Sequence, residues 1–226
     1  LILIGCFIGC HTQLIAQKVQ FPDIAKELKT MRDEEQKGRI KWAKMAKKGK
    51  TESDKFYNMT IALIEGDRRN TARMQEIVKQ IGWPTFDKVG EGPSNNAWLL
   101  VQHADRNPRF QKRCLELMKT ALDEGQVNPA NYAFLYDRAH VNHGFKQLYA
   151  TQSSTNNGIM EGTFHPLDDE SNVQKRRAEM GIDQNVVDYA KGYGFEYSIP
   201  SPTQAEQRAA IIEERYRDNI QKAKAA

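Results

Sequence analysis

Several residues that could carry chemistry stand in the stretch AWLLVQHAD at residues 97–105. On a helix, Gln102 and Asp105 would project from one side and could face one cavity, whereas His103 would lie on a different side. A His beside a carboxylate is suited to general acid or base catalysis near neutral pH. A lone His on an apolar face is also commonly a core residue with its own hydrogen bonds. We take His103 and Asp105 as candidate catalytic residues and Gln102 as a candidate ligand-binding residue.

A second group of ionisable residues begins with Asp137 and Arg138 in YAFLYDR, residues 132–138. Asp137 could orient His103 or Arg138, which makes it the third candidate catalytic residue. Arg138 could bind a carboxylate or phosphate through two parallel hydrogen bonds. Arg176 and Arg177 add a guanidinium pair, and together with Arg138 they would suit an anionic ligand. Internal salt bridges and helix-surface charges are the alternative interpretation.

Uncharged hydrogen-bonding side chains follow in GFKQLYATQ, residues 144–152: Gln147, Tyr149, Thr151 and Gln152. Groups of this kind fix the orientation of a polar ligand in a pocket whose charges come from elsewhere. The same groups could instead form a buried network that ties the loop to the helices. We name all four as candidate ligand-binding residues of a polar pocket.

Metal and cofactor signals are weak. His140 and His143 could share a helix face with Asp137, but no Cys pair accompanies them, and we predict no metal site. The glycines of Gly90-x-Gly92 lack the preceding strand that a dinucleotide-binding turn needs. Because no Gly-x-Ser-x-Gly stretch occurs, a serine-hydrolase elbow is not expected, and the sequence does not identify a cofactor.

The elements that would position these residues are mostly helical. Apolar residues recur at helical spacing over most of the chain, and Gly or Pro ends the repeats. Residues near 145–165 lack that period and predict a short β-hairpin or an irregular segment. The fold class is therefore mainly α, a compact multi-helix domain. The predicted helices are 22–48, 53–81 with a kink or a break at Gly66, 95–105 capped by Ser94 or Asn95, 108–124, 129–143, 170–180 and 183–191, followed by one from 203.

The first ten residues, LILIGCFIGC, are apolar and uncharged, and they are too few to span a bilayer. They resemble the core of an export signal. Cleavage could occur at one of the two lipobox-like stretches LIGC and FIGC, whose Cys would be acylated, or near Ala16. A buried strand is the third alternative. Export would place the protein outside the cytoplasm, in the cell envelope or secreted, with membrane contact only through a lipid anchor.

Composition agrees with a folded protein and gives little indication of a macromolecular partner. Hydrophobic residues make up 39% and charged residues 27% of 226 residues, and the formal net charge is only +4. This charge is too small to indicate nucleic-acid binding. A protein partner is not identified. Cys114 falls on the apolar face of a helix and is expected to be a core residue.

The ordered series GWPT, VG, AWLLVQHAD, YAFLYDR, GFKQLYATQ and PLDDESNVQKRRAEMG resembles an uncharacterised bacterial family catalogued as domain of unknown function 6624. The resemblance covers about residues 60–192. Members of that family typically have Tyr-Gly-Thr-Gln where this chain has Ala150 in the second position. The chain accordingly divides into a signal at 1–16, an N-terminal helical region at 17–60, a family-like core at 61–199 and a C-terminal helix at 200–226.

No activity can be carried over from this family. From the residues alone we expect an exported protein with a polar pocket, a hydrolase or transferase acting on a small polar or anionic substrate. The alternative is a non-catalytic module, anchored in the envelope, that binds a ligand or another protein.

Overall fold

Helices dominate the computed structural model, which describes residues 19–156, 159–207 and 210, without the side chains of residues 154–162. The mainly α fold class is confirmed. The helices are α1 (Pro22–Lys47), α2 (Asp54–Ile81), α3 (Phe86–Val89), α4 (Glu91–Gln102), α5 (Pro108–Asp123), α6 (Pro129–Asn142), α7 (Val173–Glu179) and α8 (Val186–Gly192). Strands β1 (Ser153–Asn156) and β2 (Ile159–Phe164) form an antiparallel hairpin, and a 3-10 turn (Glu170–Asn172) precedes α7.

Side-chain caps explain where several helices begin. Ser53, Asn107 and Asn128 each accept a hydrogen bond from a backbone N–H in the first turn of the helix that follows. The prediction for α4 was wrong in this respect, because the helix begins at Glu91, after Gly90 with φ 87°, and no side chain caps it. α2 runs through Gly66 without interruption.

The larger of two hydrophobic cores lies among α1 to α6. Its fully buried members include Leu28 of α1, Met74 and Ile77 of α2, and Leu135 of α6. α1 packs on both α2 and α4. The boundary predicted at residue 60 falls inside α2, and α1 shares its core with the later helices.

The smaller core joins the hairpin to α7 and α8. Its buried residues are Ala150, Phe164, Val173, Val186, Ala190 and Phe195. Ala150 has φ 51°, in the left-handed region that only Gly adopts without strain. The Gly that family members carry at this position therefore has a conformational reason beyond its small size.

Two predicted terminal segments lie largely outside the described residues. The signal predicted at 1–16 falls entirely outside them. Of the C-terminal helix predicted at 200–226, residues 202–207 are helical. Within the described part of the chain, every helix is too short or too polar to cross a membrane.

Candidate functional site

An open cleft of about 580 Å³ lies between α2 and the turn that joins α4 to α5. One wall consists of residues between 64 and 75 of α2, and the other of residues 103–107. His103 and Asp105, two of the three candidate catalytic residues, both line it. They reach the same cleft because α4 ends at Gln102 and the chain turns there, so helical spacing no longer separates them.

His103 is paired with a buried carboxylate that does not itself line the cleft. Its Nδ1 lies 2.7 Å from Oε1 of Glu35, a residue of α1 whose side chain is only 3% exposed. The contact is short but angled away from the line of a hydrogen bond, since Nδ1 has no partner of hydrogen-bond geometry. We regard it as a close polar contact rather than a hydrogen bond. The other ring nitrogen, Nε2, makes no hydrogen bond to any residue that the structure describes.

Arg39 connects Glu35 to a second carboxylate. Its Nε contacts Glu35, and its Nη2 donates to both oxygens of Asp67 at 2.8 and 2.7 Å. Burial alone would raise the pKa of Glu35, but His103 and Arg39 outweigh it and lower that pKa to about 2. At Asp67, burial raises the pKa by more than the neighbouring Arg39 lowers it, so the pKa is raised overall. Glu35 is therefore ionised over the whole physiological range of pH.

The same cluster has the spacing of a metal-ligand set. Ligand atoms of Glu35, Asp67 and His103 lie within 4.8 Å of one another, in the part of the chain that the structure describes. The guanidinium of Arg39 already places a positive charge against both carboxylates. A metal ion would have to displace this guanidinium, and we therefore interpret the cluster as an ion-pair network that holds His103.

Asp105 is held by side chains from α5 and α6. Arg138 donates from Nε to Oδ1 at 2.8 Å and from Nη2 to Oδ2 at 2.5 Å. Asn142 and Gln111 also donate to Oδ1, at 2.9 and 3.2 Å. Burial opposes ionisation of Asp105, but these hydrogen bonds outweigh it and lower the pKa. The carboxylate is consequently ionised and fully hydrogen-bonded, which suits an anchor better than a proton carrier.

Asp137 is fully buried in α6 and takes no part in the cleft. Its oxygens accept from the backbone N–H groups of Leu148, Tyr149 and Thr151, at 2.8 to 3.1 Å. The hydroxyl of Thr151 donates to it as well, at 2.9 Å. One carboxylate thus ties the loop at 148–151 to α6.

The polar side chains of GFKQLYATQ complete this attachment. Gln147 is fully buried, and its Nε2 donates to the carbonyls of Gln152 and His165, both at 2.8 Å. Gln152 donates in turn to Thr151 Oγ1 at 3.0 Å and accepts from Arg138 at 3.3 Å. Burial raises the pKa of Tyr149 to about 12, so its hydroxyl stays protonated near neutral pH.

Arg176 and Arg177 are also committed to internal contacts. Arg176 donates to the carbonyl of Leu148 and pairs with Asp169 at 2.8 Å. Arg177 is fully buried, donates to the carbonyls of Tyr149 and Gln184, and lies over the ring of Tyr189 at 4.9 Å. Neither guanidinium lines the cleft.

The structure therefore brings most of the predicted site residues into one network, but not into the cleft. Hydrogen bonds run from Asp105 through Arg138, Gln152 and Thr151 to Asp137. Gln102 is buried in α4 and donates to the carbonyl of Phe134 at 3.4 Å. Of the site residues predicted from the sequence, only His103 and Asp105 line the cleft.

The residues that sequence reasoning missed are Glu35, Arg39 and Asp67, which lie on α1 and α2, far from the recognised motifs. One feature of the sequence could have indicated Glu35. Glu35 continues the stripe of Leu28 and Met31, and a carboxylate at a core position of an amphipathic helix indicates a buried partner.

Comparison with known proteins gives one match. The model of a family described as "Family of unknown function (DUF6624)" matches residues 22–197. The match begins at the first residue of α1, well before residue 60, and so includes the helix that carries Glu35. No curated protein and no solved structure matches the chain.

Proposed function

Since the chain belongs to the DUF6624 family, whose function is unknown, we propose a function from the geometry of the cleft alone. The domain is an acid–base catalyst, a hydrolase or transferase that binds a small polar substrate in the cleft and uses His103 to move a proton. The observation that carries this proposal is the pairing of His103, in an open cleft, with the buried and ionised Glu35.

The chemistry follows from the two ring nitrogens. A carboxylate beside Nδ1 would hold the imidazole in one orientation, which leaves Nε2 to exchange a proton with a bound group. His103 would take the proton from water or from a substrate hydroxyl as it attacks, and return it to the leaving group. Glu35 would act as a positioning residue, held in turn by Arg39.

The test is turnover of chromogenic esters, phosphate esters and glycosides by the purified protein. We expect one of these classes to be hydrolysed, and His103→Gln to lower kcat/KM by about 100-fold or more. Glu35→Gln should lower kcat by roughly tenfold with little change in KM, because Glu35 acts through His103. Arg109→Ala, an exposed change outside the cleft, is the matched control. Turnover that persists in His103→Gln would overturn the proposal.

A second candidate function is a non-catalytic binding module that uses the same cleft. Two observations favour it: Asp105 is held in its ionised form by hydrogen bonds, and Asp137 is fully buried. Neither of these two candidate catalytic residues is therefore available to exchange a proton alongside His103. A protein that binds a ligand in the cleft without turning over any of the substrate classes would support this function instead.

We further propose that the protein is exported, with an envelope location or secretion as the result. Support comes from the apolar stretch at residues 1–10. The precursor, expressed in a bacterium, should lose residues 1–9 or about 1–16 and fractionate with the envelope. Fatty-acid labelling that disappears in Cys10→Ser would select the lipid-anchored form. An unprocessed cytosolic product would contradict export.

A further inference from the structure

The charged residues that line the cleft do not pair with one another. Its two carboxylates, Asp67 and Asp105, are each held by an arginine that does not line the cleft, Arg39 and Arg138 respectively. Arg138 binds both oxygens of Asp105 through two nitrogens, and Arg39 binds both oxygens of Asp67 through Nη2 while its Nε contacts Glu35. Each cleft carboxylate therefore already has a guanidinium partner outside the cleft lining.

Two other arginines line the same cleft from opposite walls. Arg68 belongs to α2, and Arg106 to the turn between α4 and α5. Both are exposed, and neither forms a hydrogen bond or ion pair with any residue that the structure describes. Both positive charges line the same cleft as His103 and have no counterion in the described part of the chain.

We propose that the cleft binds a phosphoryl dianion between Arg68 and Arg106, next to His103. This inference rests on the proposed function, because it identifies the class of substrate that His103 would act on. Two guanidinium groups match the charge of a dianion and can each donate two N–H groups to its oxygens. Gln75 and Asn107 also line the cleft, and their side-chain amide N–H groups donate to no residue that the structure describes.

The probe is inorganic phosphate, added to the full chain and followed by NMR shifts of the backbone amides. We expect saturable shifts concentrated at residues 64–75 and 103–107. Arg68→Ala and Arg106→Ala should each weaken phosphate binding by about fivefold or more, because each removes one charge-assisted contact. Arg69→Ala and Arg109→Ala remove exposed arginines outside this cleft and are the matched controls.

Two outcomes would overturn the inference: shifts spread evenly over the basic surface, and equal weakening in the cleft variants and their controls. His103→Gln separates this inference from the proposed function. It should leave phosphate binding within about twofold while turnover is lost, because the arginines carry the charge. The unchanged protein could also bind no phosphate while His103→Gln still abolishes turnover. That result would support acid–base catalysis and contradict the phosphoryl site.

Discussion

Glu35 is the residue whose ionisation should be most visible in the stability of the protein. Its pKa of about 2 in the folded state lies below the ordinary value of 4.5 for a Glu side chain. A lowered pKa gives stability that is present above pH 4.5 and is lost as the pH falls toward 2. We predict that Glu35→Gln lowers the free energy of unfolding by about 3 kcal/mol at pH 7, and that this difference shrinks below pH 4.5.

Denaturant unfolding of the two proteins between pH 7 and pH 3 measures this difference. Glu34→Gln is the control, since Glu34 is the exposed neighbour on the same helix. A difference between Glu35→Gln and the unchanged protein that stayed constant over this range of pH would show that Glu35 is not held in its ionised form by His103 and Arg39.

Ala150 gives a second prediction at the scale of one residue. A left-handed conformation costs an L-residue about 1–2 kcal/mol, part of which Gly recovers despite its larger loss of entropy on folding. Ala150→Gly should therefore raise the free energy of unfolding by roughly 0.5–1 kcal/mol. Thermal or denaturant unfolding measures this change. The control is Ala43→Gly, at an exposed position inside α1, which should lower the free energy of unfolding.

At the scale of elements, the loop between α6 and the hairpin is held by buried hydrogen bonds. Gln147 is fully buried and fully bonded. Gln147→Ala leaves its partners without bonds and should cost about 2 kcal/mol or more. A ligand-binding role for Gln147 predicts a cost below about 1 kcal/mol instead. Denaturant unfolding decides between them, with the exposed Gln80→Ala as the control.

Elements proved easier to predict than the contacts between them. Helical spacing with Gly and Pro punctuation placed α1, α2, α5 and α6 within one residue at each end. The uncharged hydrogen-bonding side chains at 145–152 were recognised, but composition alone does not say whether such groups face a ligand or each other. Asp137 shows the difficulty, because its partners are mostly backbone N–H groups. Nearly every residue type has such a group, so the sequence does not reveal these contacts.

The candidate site was predictable only in part for a related reason. His103 and Asp105 are only two residues apart in the sequence and could be found together. Glu35 and Asp67 reach His103 only because α1 and α2 pack against α4, a long-range arrangement that periodicity does not reveal.

For the molecule as a whole, α1 is part of the folded unit rather than a separate region. Leu28 of α1 is fully buried in the larger core. Leu28→Ala should lower the free energy of unfolding by about 3 kcal/mol through lost contacts and a residual cavity. Ile40→Ala, on the same helix but 52% exposed, should have little effect. A single denaturant transition that shifts only for Leu28→Ala would confirm this; two separate transitions would contradict it.

The division into two cores also has a consequence for local unfolding. The cleft is lined entirely by residues between 64 and 107, all on elements of the larger core, whereas the smaller core uses residues 150–195. The few residues of the smaller core would allow α7 and α8 to open transiently while α2 and α4 stay folded. In amide hydrogen exchange, a ligand in the cleft should then slow exchange in α2 and α4 and leave the faster exchange of α7 and α8 unchanged.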